Sequence, residues 1–448
     1  MLFRKKLLVF PTSRSIRNFI STQKSSNTLL PFTLTIDELF KKSINLNNMK
    51  YCEEEQRVLF LSEAIKNTNI QKLGISDNFT KFLKQSDYIY RFFLELASEK
   101  VEIKDIQNVD TYDFYLEHLQ ILETIKTNYI NILEKNSYVD KINLDNHYKI
   151  NENFLKKFEE IELHFEGYFT KVEFEIVEKI SKFINVKINF YSNTYNQRSL
   201  EVFKNMNIDL KIDFNYKIDL TNKLVLQEEK NKKNLQSLEI KGFSSRLNQI
   251  AYIKDSIVKS VQKGVNPSRI ALVLPDETFA SYIQLFDTEK YFNYAMGKTI
   301  KNTNLYQVAY AIYSYLSEDD IKHISNLDFL KLDKNFIDKN IKSIWNKKAS
   351  KENFEFISDF IKSKDDSAEL LEKYDELLYK LNIIVFSNDN VILLKDVYKI
   401  FLQKLVKLTL DDINSGKVTV LGLLETRAVE FDTVIICDFN ESFIPKIS

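Results

Sequence analysis

Residues Gly416–Ser448 read GKVTVLGLLETRAVEFDTVIICDFNESFIPKIS and constrain this chain more than any other stretch. Two apolar runs, Val418–Leu424 and Thr433–Cys437, have the length of buried strands. A polar loop, Glu425–Asp432, separates them, and Asp438, Asn440, Glu441 and then Phe443-Ile444-Pro445 follow. By itself the order strand, polar loop, strand, acidic turn describes a buried hairpin of an α/β protein. The chain holds only 7 Gly and 5 Pro. That scarcity favours long helices and argues against an all-β sandwich rich in tight turns.

At 448 residues the chain exceeds what one core supports, so two to four domains are expected. Its 44% hydrophobic and 28% charged residues are those of a soluble globular protein. The formal net charge is zero, so no global field draws nucleic acid, and any such contact must come from a local patch. Cys52 and Cys437 lie far apart and fit no metal spacing. Cys437, in an apolar run, reads as a core thiol, and a reducing cytoplasm is the expected compartment. His118, His147, His164 and His323 form no ligand cluster. The start is basic and then apolar, but Pro11 stops the run too early for a signal peptide, so Leu7–Phe10 reads as a buried first strand. No segment approaches the ~18 apolar residues of a membrane span.

The closing segment, L-G-L-L-E-T-R-A-V-E-F-D-x-V-x-x-C-D-F-N-E-S-F-I-P, resembles the second RecA-like domain of superfamily-1 helicases. There a T-x-H-x-x-K-G-L-E-F loop between two strands reads DNA, and a G-L-N-E-G-x-F-P turn follows. The segment is most similar to the AddB family, the partner subunit of the bacterial AddAB helicase–nuclease, whose wording is close to L-G-x-L-E-[ST]-R-x-x-E-F-D. Order, spacing and residue type agree over about 28 positions. The resemblance implies an α/β fold with two RecA-like parallel-sheet domains of the P-loop NTPase type, degenerate at the nucleotide site. Each would carry a largely helical insertion. The expected boundaries are 1–45 and 152–235 for the first RecA-like domain and 46–151 for its insertion. The second RecA-like domain would take 236–300 and 415–448, and its insertion 301–414.

Taken in order, Leu7–Phe10, the loop Pro11-Thr12-Ser13-Arg14-Ser15 and a helical Ile16–Thr22 stand where a RecA-like domain places its phosphate loop. A working loop needs G-x-x-x-x-G-K-[ST], with glycines that let backbone N–H groups curl round phosphates and a lysine to meet them. This loop has neither glycine nor lysine. Thr12, Ser13 and Arg14 are the remaining nucleotide candidates, with Arg17 beside them, and capping of the helix by Thr12 or Ser13 is the simpler role. Thr35 followed by Glu38 has the spacing of a capping box. Tyr51–Asn67, Phe79–Ser98 and Phe114–Lys135 repeat at helical spacing, with Val58, Leu59, Leu61 and Ile65 inward. Base stacking by Tyr88, Tyr90, Phe92, Phe93, Tyr112, Phe114 and Tyr115 is an alternative to a plain core role, which their helical spacing favours.

Glu159–Asn193 reads as strand, helix, strand, and resembles the family's I-x-[IV]-[DE]-G-F-x-x-F-[TS]-x-x-E through Glu166, Gly167, Phe169 and Glu173. Active helicases hold Mg²⁺ here with an acidic pair; this chain has Glu166 alone. Leu200–Gln236, with the run EEKNKK, reads as a solvated linker. Then come a short strand Leu238–Ile240, a helix Arg246–Lys263 ended by Gly264, and a buried strand Ile270–Leu274. Arg246 stands near the family's γ-phosphate arginine, and a surface or interdomain role is the simpler one. Tyr294-Ala295-Met296-Gly297-Lys298 with Asn302–Tyr306 resembles the family's N-[VFY]-[AS]-M-G segment. Gly297-Lys298-Thr299 lacks the upstream glycine and strand of a phosphate loop. Tyr306–Lys407 is helical and charged and holds Trp345.

What the resemblance implies is a DNA-binding scaffold subunit, without ATPase chemistry, of an AddAB- or RecBCD-like helicase–nuclease in double-strand-break repair by recombination. Its partners would be DNA and an AddA-like subunit in a heterodimer, with no membrane. Thr426 and Arg427 would face DNA. Thr12, Ser13, Arg14, Glu166 and Arg246 would be relics of the site for ATP and Mg²⁺, so no cofactor is expected. The alternatives are an active ATP-dependent helicase and a catalytically silent assembly module. Family members continue into a PD-(D/E)xK nuclease domain, often with an iron–sulfur cysteine set, and neither pattern occurs in these 448 residues. The expectation is the N-terminal portion of such a protein or a stand-alone half.

Overall fold

Strands form in this chain where apolar residues run together or alternate. A computed structural model describes residues 5–23, 29–66, 68–76, 79–107, 115–231, 237–317, 321–386, 392–410, 417–427, 429–441 and 444. Tyr112, Phe114, Phe443 and Pro445, named above, and the last two lysines of the run EEKNKK lie outside the described residues. The fold is mixed α/β, and the chain divides into two compact units. One holds residues 1–47, 148–296 and 411–448; the other holds 48–147 and 297–410.

The first unit contains two sheets. Six strands make the larger: β1 (Lys6–Phe10), β2 (Phe32–Thr35), β3 (Glu160–Phe165), β4 (Asn185–Tyr191), β5 (Phe214–Asp219) and β6 (Leu224–Lys230). Their order is β6-β5-β4-β3-β1-β2, parallel from β2 to β4 and antiparallel from β4 to β6. Strict alternation splits the sheet into two faces. Ile161, Leu163, Val186, Ile188 and Phe190 are buried on one; Glu160, Glu162, His164, Lys187 and Asn189 stand on the other. Helix α1 (Ser13–Thr22) follows β1, and helix α2 (Lys171–Ser181) links β3 to β4.

The stretch 200–236 departs from the expected solvated linker. Its front part ends a helix, Gln197–Asn205, and continues into the β5–β6 hairpin. Tyr216 and Ile218 are buried while Lys217 points to Glu162, so a charged composition hides a half-buried strand of period two. Only β6 is exposed along its whole length, which gave the stretch its solvated look.

The second sheet has four parallel strands: β7 (Ile270–Leu274), β8 (Phe292–Tyr294), β9 (Val418–Gly422) and β10 (Thr433–Ile436), in the order β8-β9-β7-β10. One face packs on helix α3 (Arg246–Gln262) through Ile250 and Ile253 and on helix α4 (Phe279–Leu285) through Phe279 and Ile283. The Cys437 thiol joins this core, and burial pushes its pKa up to about 12. The opposite face carries a much smaller buried set, Ala271, Val273 and Leu421, with Phe431 against it. The expected strand Leu238–Ile240 does not form: these residues are exposed and without regular structure, and none of the described strands pairs with them.

The second unit is helical. Its helices include Glu54–Ala64, Phe79–Ser98 and Leu116–Lys135, and Asn304–Ser317, Lys351–Lys362, Ala368–Phe386 and Leu394–Leu405. Val58, Leu61 and Ile65 are buried, as are Tyr90 and Phe93, whereas Tyr88 and Tyr115 are exposed. Helix period and burial therefore agree for the inward aromatics. Trp345 is buried and packs edge-on to Tyr398. Lys298–Thr299 pairs with Thr409–Leu410, and a Cβ on Gly297 would lie 2.8 Å from Thr409 Cβ. With φ at +79°, Gly297 serves this close approach.

A buried polar group ties the first three helices together. Asp140 accepts hydrogen bonds from Arg57 Nε at 3.1 Å, Tyr90 at 2.8 Å and Tyr129 at 2.6 Å. The Arg57 guanidinium also lies over the Tyr90 ring, 3.9 Å from its centroid. A buried carboxylate is tolerated because donors surround it.

Candidate functional site

Thr12, Ser13, Arg14, Glu166, Arg246, Thr426 and Arg427 lie past the carboxyl end of a parallel strand or at the start of a helix. Open α/β sheets place ligands there. Pro11–Ser15 follows β1, Glu166 follows β3, and Gly422–Arg427 follows β9. Asp276 follows β7, Asp438 follows β10, and Arg246 opens α3 between these last two.

The loop after β1 satisfies itself. Thr12 caps α1: its hydroxyl accepts from the Ser15 N–H at 3.2 Å, and the Ser15 hydroxyl accepts from the Thr12 N–H at 3.1 Å. The Ser15 hydroxyl also donates to the Thr12 carbonyl at 2.7 Å. A phosphate loop would leave these donors free for an anion; here they close a capping box. Ser13 is exposed and Arg14 half-buried. Burial holds the Arg14 guanidinium below its ordinary pKa, the Glu425 carboxylate opposes that shift, and Arg17 adds to it. So Arg14 feels the loop that follows β9 in the second sheet.

Arg246 is held from two sides. Its Nη2 lies 3.3 Å from Asp276 Oδ2 and 2.9 Å from Asp438 Oδ2. Its guanidinium also stands 5.1 Å and 5.2 Å from the ring centroids of Phe279 and Tyr282. Its own desolvation works the other way, but the Asp438 and Asp276 carboxylates raise its pKa. Asp438 takes a left-handed backbone, φ +47°, to reach it. Sequence reading had placed Asp438 in an acidic turn and missed Asp276. The signal was an acid two residues past each apolar strand.

The loop after β9 is anchored at both ends and open at its tip. The Gly422 N–H donates to the Glu425 carboxylate at 3.3 Å, and the Thr426 hydroxyl donates to the Leu423 carbonyl at 2.7 Å. At the far end Phe431 packs on the second sheet, and Asp432 pairs with Arg269 at 3.0 Å. Glu277 presses on Gly422 and leaves no room there for a Cβ. Between these anchors Arg427 is exposed and has no ion-pair partner among the described residues, while Thr426 is half-buried. Neither Glu425 nor Glu430, the acids nearest to it in sequence, forms an ion pair with Arg427 among the described residues.

The first sheet holds a charge network that the sequence reading did not find. Glu162, buried on β3, accepts from Lys6 of β1, from Lys217 of β5 at 2.9 Å and from Asn189 of β4 at 2.6 Å. Desolvation acts against ionisation, but these three donors hold the Glu162 pKa down to about 2. Burial lowers the pKa of neighbouring His164, which stacks on Phe10 at 4.5 Å. The pattern I-E-L-H-F, acids and histidine alternating with apolar residues, was the available signal. Glu166 is exposed and lines an open groove of about 670 Å³ with His164, Asn189, Tyr191, Lys217 and Gln227.

These residues do not fit Mg²⁺ and a nucleotide. The loop hydroxyl of Thr12 and the Thr12 N–H are taken by Ser15, the Arg246 charge is met by two carboxylates, and Glu166 lies in a groove with His164 and Lys217 beside it. Among the described residues no group of His, Cys, Asp and Glu is arranged to hold a metal ion, and no helix is long and apolar enough to cross a membrane. Compared with known proteins, the chain matches no protein-family model and no curated protein.

Proposed function

We propose that this chain is a DNA-holding scaffold with two RecA-like sheets, the helicase-like and ATPase-inactive part of an AddAB- or RecBCD-like assembly in double-strand-break repair. The observation that carries the reading is the contrast between Arg427 and the nucleotide candidates. Arg427 is exposed at the tip of a loop pinned at Gly422 and Asp432, whereas Thr12 and Arg246 are engaged within the fold. An exposed guanidinium at the carboxyl end of a parallel sheet meets a phosphate without first breaking an ion pair. Thr426, one residue away, supplies a hydroxyl. Because the chain has no net charge, binding depends on this local patch. A larger helicase–nuclease subunit is the expected partner on this reading.

The test is binding of an unstructured single-stranded oligonucleotide, together with ATP turnover. The reading predicts sequence-tolerant binding that weakens steeply between about 50 and 200 mM salt, as counterion release requires. It also predicts no DNA-stimulated ATP hydrolysis. Absence of binding at low salt, with the partner subunit supplied, would favour a silent assembly module. DNA-stimulated hydrolysis lost on Glu166→Ala would favour an active helicase.

A further inference from the structure

Among the described residues strand β10 is the last strand of its sheet, paired to β7 on one side only. Its Val434 and Ile436 are 52% and 46% exposed, on the face where Ala271 and Val273 are buried. A short parallel edge with exposed β-branched residues is a template for another strand. Six residues before α3, the same unit carries a second unsatisfied element. Leu238 and Ile240, separated by Glu239, are 74% and 86% exposed, and the segment from 237 to 243 has no regular structure. Its polar and aromatic residues are held against α3. Lys241 lies over the Tyr252 ring at 4.3 Å, Phe243 packs on the same ring at 5.2 Å between centroids, and Lys241 pairs with Glu239 at 2.8 Å. The two apolar side chains are left in solvent.

We infer that residues 237–243 are a strap with two seats: the recorded one on Tyr252, and a second along the open edge of β10. There Leu238–Ile240 becomes a fifth parallel strand. The tether makes the second seat reachable. Arg246 is ion-paired with Asp438, two residues past the end of β10, so the strap is anchored at the carboxyl end of that strand. The six residues from Ile240 to Arg246 span at most ~20 Å, and neighbouring strands lie only ~4.8 Å apart. A parallel strand running toward Asp438 and turning into α3 keeps the strand-to-helix direction of the sheet. The alternation Leu-Glu-Ile matches the pleat, with Leu238 and Ile240 covering Val434 and Ile436.

Hydrogen–deuterium exchange on the full chain tests this. Docking predicts that the amides of 238–241, and those amides of β10 that point away from β7, exchange at least about tenfold more slowly than unstructured amides. Ile240→Asp, at an exposed position, should remove the slowing of these amides and leave those bonded between β10 and β7, and β9, unchanged. Tyr252→Ala, which removes the recorded seat, should preserve or increase it. Exchange of 238–241 at the unstructured rate overturns the inference. So does slowing that survives Ile436→Asp, or slowing that vanishes with Tyr252→Ala.

Discussion

In the first sheet polar groups turn inward: at its carboxyl end Thr12 and Ser15 bond one another, and within its strands Glu162 gathers Lys6, Lys217 and Asn189 from three neighbours. At the carboxyl end of the second sheet they are divided. Arg246 is clasped by Asp276 and Asp438, but Arg427 on the next loop stands in solvent. Both ends occupy the place where an α/β sheet takes a ligand. The difference shows that position alone does not make a site. Closed networks hold strands together, and on the proposed reading the side chain left without an ion pair is the one that meets DNA.

If the first sheet is closed in this way, removing its central charge should cost most. Glu162 has a folded pKa of about 2 against an ordinary 4.5. A depressed carboxylate stabilises above its unfolded pKa and loses that contribution as pH falls through the folded one. Glu162→Gln should therefore cost about 3 kcal/mol near neutral pH, read by urea unfolding. The gap to the native chain should close between pH 4.5 and about 2. A gap that does not change with pH would mean that Glu162 contributes packing and no charge.

The next effect belongs to the second sheet. Arg246→Ala leaves Asp438, whose side chain is only 10% exposed, without its cation. The expected loss is about 1–3 kcal/mol of stability, with no loss of DNA affinity. A variant as stable as the native protein would remove Arg246 from the closed set. Smaller again is Thr12→Ala, which deletes the cap of α1 and should cost about 1 kcal/mol. Its effect on ATP affinity should be nil, and isothermal titration before and after the substitution checks it.

Strands and helices with strong patterns were legible in the sequence. Ile270–Leu274 and the α1 and Thr35 caps are local properties, set by apolar runs and by hydroxyls at fixed spacing. The β5–β6 hairpin was hidden because half of its residues face charges on neighbouring strands, so its composition looked like a linker. Leu238–Ile240 failed for the opposite reason: the apolar alternation is present, but none of the described strands pairs with it. The site was legible as positions and not as chemistry. Thr12, Arg14 and Arg427 follow strand ends and Arg246 opens a helix, but the partners that neutralise Arg246 come from acids 30 and 192 residues away in sequence.

The most direct measurement compares two arginines by salt-dependent binding of a single-stranded oligonucleotide. The account predicts that Arg427→Ala weakens binding about threefold or more and lowers the slope of log affinity against log salt by about 0.7, one phosphate contact on a single strand. Arg14→Ala should leave both unchanged. Equal affinity and slope for Arg427→Ala and the native chain, or loss confined to Arg14→Ala, would contradict it.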